Sequence, residues 1–150
     1  YNNNRTADPD SRRRWDSQYP SLWVTNGGGG TFKDIWTAST FAAAGMLVSD
    51  TKTVGRVYAI SSEHHVRNEV VFRRAFNWSV YALQMEEERG EGPECQPLQI
   101  EDCSELRFAN LYIYRVMFTY SPFKSGVLMR NAANIDFYNV HAYGPSKYTV

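Results

Sequence analysis

The stretch that decides the fold runs from residue 98 to residue 111 and reads LQIEDCSELRFANL. Apolar and polar residues alternate in short runs, and Asp102 and Asn110 interrupt this alternation. A period of two residues is typical of a β-strand with one buried face, whereas Asp and Asn favour bends of the backbone. The stretch therefore predicts short strands that are separated by corners.

The end of this stretch recurs along the chain as a five-residue segment that reads apolar, variable, small or polar, apolar, variable. The segments are 32–36, 57–61, 80–84, 108–112 and 137–141. Their starts are separated by 25, 23, 28 and 29 residues. A second frame agrees with the first, because Phe72, Ile100 and Met129 each precede a segment by eight residues. The chain therefore contains an internal repeat.

A repeat of this length, made of short strands, predicts a solenoid rather than a sandwich. Asn-Gly and Asp-Gly hairpin turns are absent from the repeat region, so antiparallel pairing is disfavoured. One coil cannot bury its apolar face alone and stacks on its neighbour, and crossovers between parallel strands are almost always right-handed. We expect an all-β fold: a right-handed, single-stranded parallel β-helix of about five coils.

The boundaries of this solenoid follow from composition. Residues 30–150 carry the coils, whereas residues 1–29 are polar, lack periodicity and end in a run of glycines. We therefore interpret residues 1–29 as an extended arm or as a loop from a preceding coil. Exposed strand edges at the ends of a solenoid need cover, so we expect further coils, or another chain, to cap them.

Alignment of the coils predicts which side chains stack on each other. One inward column is Phe32, Val57, Val80, Phe108 and Phe137. A second inward column is Ile35, Ile60, Leu83, Leu111 and Val140. Asp34, Asn110 and Asn139 lie between the two columns, where such residues tolerate a bend and can bond to the next coil. Outside, Arg107 and Asp136 pair with opposite charge.

The alternation over residues 98–111 resembles the coils of the pectate-lyase-like superfamily of parallel β-helices. That superfamily includes polysaccharide lyases, glycoside hydrolases and phage tailspike adhesins. The resemblance covers roughly three quarters of the chain and is specific for fold rather than for activity. It implies a secreted protein, extracellular or periplasmic, with a polysaccharide or oligosaccharide as its partner.

Composition narrows the class of partner. The net charge is zero, and the only cluster of basic residues is Arg12–Arg14, so a nucleic-acid partner is disfavoured. The longest apolar run, residues 41–48, is too short to span a membrane. Aromatic residues make up 15% of the chain, which suits a surface that stacks on a ligand. Cys95 and Cys103 are near enough in sequence to pair, but nothing requires them to do so.

The predicted register also places two outward columns on one face. The first is Trp36, Ser61, Gln84, Tyr112 and His141. The second is Ala38, Glu63, Glu86, Tyr114 and Tyr143. We assign to the same surface the residues that follow, namely His64, Glu87 and Arg115, then His65 and Glu88, with Arg89 nearby. This face therefore combines acids, histidines, arginines and aromatic rings.

Carbohydrate suits this mixture, because sugar rings stack on Trp and Tyr while their hydroxyl groups bond to carboxylates, amides and guanidinium groups. The candidate substrate-binding residues are Trp36, Gln84, Arg89, Tyr112, Tyr114, Arg115, His141 and Tyr143. The candidate catalytic residues are Glu63, Glu86, His64, His65 and Glu87. Glu86–Arg89 can also be read as a charge run on a solvated face.

Glu63 and Glu86 are the best-defined candidate pair of catalytic acids, because like positions on adjacent coils lie about 4.8 Å apart. Two carboxyl groups at that distance cannot both ionise freely, so we expect one pKa to rise, as a general acid requires. His64 and His65 are candidates to tune these acids, to bind a divalent metal or to act as the base of a lyase. No spacing matches a known metal motif, so the sequence predicts no cofactor.

Three functions remain open. A glycoside hydrolase would use Glu63 and Glu86 as acid and as nucleophile or base. A polysaccharide lyase would use His64 or His65 as base, and Arg89 or Arg115 to neutralise a uronate. A non-catalytic adhesin or structural β-helix would use the aromatic face for binding alone.

Overall fold

The computed structural model describes residues 19–38, 40, 42–65, 67–88, 96–116 and 125–144. These residues form β-strands and no helix. The strands are β1 (Leu22–Val24), β2 (Gly30–Ala38), β3 (Ala44–Thr51), β4 (Gly55–Glu63), β5 (Asn68–Glu88), β6 (Gln96–Glu101), β7 (Ser104–Val116), β8 (Val127–Arg130) and β9 (Ala133–Tyr143). This part of the chain contains no helix that is long and apolar enough to cross a membrane.

The strands stack in parallel and form two ladders. The first ladder contains β1, β3, the beginning of β5, β6 and β8. The second ladder contains β2, β4, the remainder of β5, β7 and β9. Five stacked strands in each ladder correspond to about four turns. The predicted parallel β-helix is therefore confirmed.

The register of the second ladder confirms both predicted inward columns, and within them Val140 of the last described coil is 48% exposed. Phe32 pairs with Val57, and the same column continues through Val80 to Phe108 and Phe137. The rings of Phe108 and Phe137 stack at 5.2 Å between centroids. Stacked coils thus bury apolar side chains that a single coil would leave in water.

The two ladders share one core. The ring of Phe72 in the first ladder meets the ring of Phe108 in the second edge to face, with centroids 5.5 Å apart. Among the described residues, Trp78 is the largest fully buried side chain, and its ring lies against both Phe72 and Phe32. Aromatic contacts of this kind add to the free energy of burial.

The predicted corner between the inward columns is a column of left-handed residues. Its members are Asp34, Ala59, Ala82, Asn110 and Asn139, with φ between 53° and 58°. Asp and Asn tolerate this conformation better than other residues with a side chain, which explains why three of the five positions carry them. Nδ2 of Asn139 donates to Oδ1 of Asn110 at 2.7 Å, as expected for a bond between coils. We call these five residues the corner column.

Two more left-handed columns mark further corners. One consists of Asn26, Asp50, Arg74, Asp102 and Asn131. The other consists of Asn77, Glu105 and Asn134. Side chains bond along both, because Asn131 donates to Asp102 at 2.7 Å and Asn134 donates to Glu105 at 2.6 Å. The coils therefore turn at left-handed residues, and the last two described coils are bonded to each other at all three corners.

The first ladder begins inside the segment that the sequence assigned to an arm or loop. Leu22 pairs with Met46 and Val24 pairs with Val48, so residues 22–24 belong to a strand of the solenoid. Residues 1–18 and Cys95 lie outside the described residues. Cys103 is a buried free thiol, and burial raises its pKa.

Candidate functional site

Both outward columns predicted from the repeat occur in the second ladder. The first outer column runs through Trp36, Ser61, Gln84, Tyr112 and His141. The second outer column runs through Ala38, Glu63, Glu86, Tyr114 and Tyr143. We call the two columns together the outer face. They share a face because alternate residues of a strand point to the same side of the sheet.

A groove of about 440 Å³ lies between the first outer column and the corner column. Trp36 and Tyr112 stand at its two ends, and Trp36 is 73% exposed. Three strand spacings separate them, which corresponds to roughly 14 Å along the stack. Ala59 and Ala82 line the groove at the corner. The concavity thus follows from small side chains between two large aromatic ones.

Two shorter polar side chains, Ser61 and Gln84, lie between Trp36 and Tyr112 in the first outer column. Both also line the groove. Ser61 supplies a hydroxyl group and Gln84 supplies an amide, so the groove offers donors and acceptors between its aromatic ends. This is the usual composition of a ligand site, with apolar walls and a few polar groups that fix orientation.

Glu63 and Glu86 pair in register on adjacent strands, as the sequence predicted. Both are half-buried. Oγ of Ser61 donates to Oε1 of Glu63 at 2.6 Å. Nε2 of Gln84 approaches both carboxylates, at 3.4 Å from Oε1 of Glu63 and 3.3 Å from Oε2 of Glu86. The polar side chains of the groove therefore also hold the acidic pair.

His64 lies directly beside this pair and is 8% exposed. It is left-handed, with φ of 62°, and its backbone N donates to the backbone O of Glu86 at 3.0 Å. Its Nε2 lies 3.7 Å from Oε1 of Glu86. One ligating atom from each of Glu63, His64 and Glu86 lies within 4.8 Å of the others. This cluster is able to hold a cation.

The placement of Glu87 and Arg115 on the outer surface was wrong. Glu87 is 0% exposed and Arg115 is 1% exposed. Nε of Arg115 lies 2.7 Å from Oε2 of Glu87, which makes a buried ion pair. The reason is strand parity: these residues follow the buried Met85 and Ile113 by two positions and therefore point inward as well.

His65 was also placed wrongly on the surface, because it is 0% exposed. Its Nδ1 lies 2.5 Å from Oε2 of Glu69, and its backbone N donates to Oε1 of the same residue at 3.0 Å. Oγ of Ser62 lies 3.0 Å from Oε2 of Glu69. A side chain at Gly45 would collide with Ser62, so glycine makes room for this network.

Ser62, His65 and Glu69 are residue types found in nucleophilic catalysis, but this cluster has no access to substrate. All three are buried, and the serine hydroxyl contacts the carboxylate at a shorter distance than the 3.4 Å that separates it from Nδ1 of His65. A nucleophilic serine would instead be exposed and bonded to the ring nitrogen that its base uses. Sequence reasoning missed Glu69, whose one signal is its spacing of four residues from His65.

Tyr112, Tyr114 and Tyr143 form an aromatic cluster within the outer face. The rings of Tyr112 and Tyr114 stack at 6.2 Å, and those of Tyr114 and Tyr143 stack at 5.3 Å. Nε2 of the exposed His141 lies 2.9 Å from Oδ1 of Asn139. Arg89 lies outside the residues that the structure describes.

Comparison with known proteins identified no relative of this chain. A scan against models of protein families, a search of curated proteins and a search of solved structures each found no match.

Proposed function

We propose that this protein is a carbohydrate-active β-helix that binds a polysaccharide in the groove of the outer face and hydrolyses it with Glu63 and Glu86. The observation that carries the proposal is the position of this acidic pair, in register and next to a groove that begins and ends with an aromatic ring. The volume of about 440 Å³ is within the range of ligand sites.

Binding follows from the chemistry of the groove. The exposed rings of Trp36 and Tyr112 present flat apolar surfaces, on which the apolar face of a sugar ring stacks. Ser61 and Gln84 bond to hydroxyl groups between these two rings. A ligand that spans roughly 14 Å contacts both rings, which favours an oligosaccharide segment over a single sugar.

Hydrolysis follows from the separation of the carboxylates. Oxygen atoms of Glu63 and Glu86 lie within 4.8 Å of each other. A separation of at most this length is closer to the roughly 5–5.5 Å of retaining glycosidases than to the roughly 6.5–9.5 Å of inverting ones. We therefore expect a double displacement with retention of the anomeric configuration.

We assign Glu63 as nucleophile and Glu86 as acid and base. Ser61 and Gln84 donate to Oε1 of Glu63, which suits a carboxylate that attacks as an anion. Glu63 bonds to the anomeric carbon while Glu86 gives its proton to the departing glycosidic oxygen. Glu86 then takes a proton from water, which attacks the same carbon and releases Glu63.

The described residues favour hydrolysis over elimination. A lyase that acts on a uronate needs a base and a cation at the substrate, and the candidates for these roles were His64 or His65 and Arg89 or Arg115. Of these, His65 and Arg115 do not reach the groove. Both are buried, at 0% and 1% exposure, and each is held by a carboxylate. The acidic pair, by contrast, is next to the groove.

The same proposal includes membership of the pectate-lyase-like superfamily and a location outside the cell or in the periplasm. Its support is the parallel solenoid together with the repeat pattern of residues 98–111. A glycan-binding protein without turnover remains the second candidate, because Trp36 and Tyr112 provide a binding surface that does not depend on the acids.

A panel of polysaccharides tests the proposal. We expect release of reducing ends from at least one member, with products that keep the anomeric configuration of the substrate. Binding without release would support the second candidate instead. Unsaturated products that absorb in the ultraviolet would contradict hydrolysis and favour a lyase.

A further inference from the structure

We propose that Glu63, His64 and Glu86 form a binding site for a divalent transition-metal cation, of which Zn²⁺ is the best match. The three residues come from the end of β4, the residue that follows it, and β5. One ligating atom of each lies within 4.8 Å of the other two. The site combines an imidazole with two carboxylates rather than acids alone.

The distances between the three ligating groups are slightly longer than those between the ligands of a bound cation. Nε2 of His64 lies 3.7 Å from Oε1 of Glu86, which is too long for a hydrogen bond between these atoms. Ligands of a tetrahedral Zn²⁺ lie roughly 3.3–3.5 Å apart, given bonds of roughly 2.0–2.2 Å. Small movements of the side chains therefore suffice to complete the coordination.

The backbone already positions the imidazole. His64 is left-handed, and its N donates to O of Glu86 at 3.0 Å, which ties the histidine to the strand that carries the second carboxylate. The side chain of His64 is 10% exposed and that of Glu86 is 19% exposed. A cation here would be partly shielded from water, and this strengthens its attraction to the carboxylates.

Charge and ligand type select the cation. When both carboxyl groups are deprotonated, their two negative charges balance one divalent ion. Imidazole with carboxylate suits Zn²⁺ and neighbouring transition metals, whereas Ca²⁺ and Mg²⁺ prefer oxygen ligands alone. Gln84 and Ser61 bond to Oε2 of Glu86 and Oε1 of Glu63, so the carboxylates have the outer hydrogen bonds that orient metal ligands.

The consequence for turnover rests on the proposed hydrolysis, whereas the binding of the cation does not. Glu63 and Glu86 are the same carboxylates that act as nucleophile and acid. A bound cation takes up their lone pairs, so the metal-loaded protein is unable to hydrolyse glycan by this route. The site would thus make turnover sensitive to Zn²⁺.

Isothermal titration of the full chain with ZnCl₂, after removal of metals with EDTA and in the absence of glycan, tests the inference. We expect one Zn²⁺ per chain, and little heat with CaCl₂ or MgCl₂. His64→Asn and Glu86→Gln should each weaken binding by at least about tenfold. Asn is used because it tolerates the left-handed backbone of His64. His141→Ala, which removes an exposed imidazole from the same face, should leave the affinity for Zn²⁺ unchanged.

Visible absorption of the Co²⁺-loaded protein provides a second measurement, because it reports the ligands directly and should change in His64→Asn. Circular dichroism of each variant shows whether the fold is kept. Absence of saturable binding below millimolar Zn²⁺ would overturn the inference, and so would binding that survives in folded His64→Asn and Glu86→Gln. Failure of zinc binding leaves the hydrolysis assay unaffected, so the two proposals fail separately.

Discussion

Arg115 and Glu87 form an ion pair in the interior of the solenoid, with Nε of Arg115 2.7 Å from Oε2 of Glu87. The two residues pair in register on β5 and β7, one position after the outward Glu86 and Tyr114. Arg115 also donates from Nη2 to the backbone O of Ser125 at 2.7 Å. The buried pair therefore joins β5 and β7 directly beneath Glu86 and Tyr114 of the outer face.

Replacement of Arg115 by Met should lower the free energy of unfolding by roughly 3–5 kcal/mol, because Glu87 is then a buried charge without its cation. Urea denaturation measures this change. Met at 115 together with Leu at 87 should recover most of the loss, since no charge remains buried. Arg73→Met provides a control at the partly exposed Arg73–Glu101 pair, where a loss of less than about 1 kcal/mol is expected. Equal losses at both pairs would contradict this account.

Replacement of Trp36 by Ala should weaken glycan binding by about fivefold to tenfold, because a sugar ring loses its stacking surface at one end of the groove. Trp23→Ala is a matched control, since Trp23 is exposed but lies in the first ladder, away from the groove. Titration calorimetry with the glycan identified from the panel gives both affinities. Equal loss in the two variants would argue against binding in the groove.

Replacement of Glu86 by Gln should lower kcat by about a hundredfold to ten-thousandfold while glycan affinity is kept, because the amide cannot transfer the proton. Glu105→Gln, an exposed position at another corner, should retain the activity of the original chain. The assay is reducing-end release under saturating glycan. Turnover that persists in Glu86→Gln would remove this residue from the mechanism.

The ion pair of Arg74 with Asp50 should stabilise the folded state at neutral pH and lose this contribution in acid. Its hydrogen bond to Asp50, at 2.6 Å between Nε and Oδ1, lowers the pKa of that carboxyl group below its usual 3.8. A carboxyl group with a depressed pKa in the folded state stabilises above its unfolded pKa and loses this contribution as pH falls through the folded value. The difference in melting temperature between the original chain and Arg74→Met should therefore be constant above about pH 5 and shrink below 3.8. A difference that grows with acid would contradict the sign.

Replacement of Ala82 by Asn should raise the free energy of unfolding by roughly 0.5–1 kcal/mol. Ala82 is left-handed with φ of 58°, a conformation that Asn tolerates better than Ala. The new amide would also stand next to Asn110 in the corner column. Ala109→Asn is the control, because Ala109 lies in β7 outside the left-handed positions and gains no such relief. Thermal unfolding compares the two, and stabilisation by both substitutions would rule out the corner as the cause.

The sequence by itself determined which residues lie on each other in successive coils. Because each coil of a parallel solenoid lies on the next with like positions aligned, a repeat that can be counted along the chain predicts partners in space. This is why the Phe32 column, the Asn110–Asn139 bond and the pairing of Glu63 with Glu86 were all found without a structure.

Only the tertiary structure decided which charged side chains are inside. His64 is left-handed, so the alternation of sides breaks there and the direction of His65 does not follow from counting. His65 is buried against Glu69, which also bonds to Ser62. Strand parity directs Arg115 inward, and Glu87 neutralises its charge there. Burial of a charge or an imidazole requires a partner, and the tertiary structure supplies it: Glu69 contacts His65 after the break in alternation at His64, and Glu87 lies opposite Arg115 on the adjacent strand.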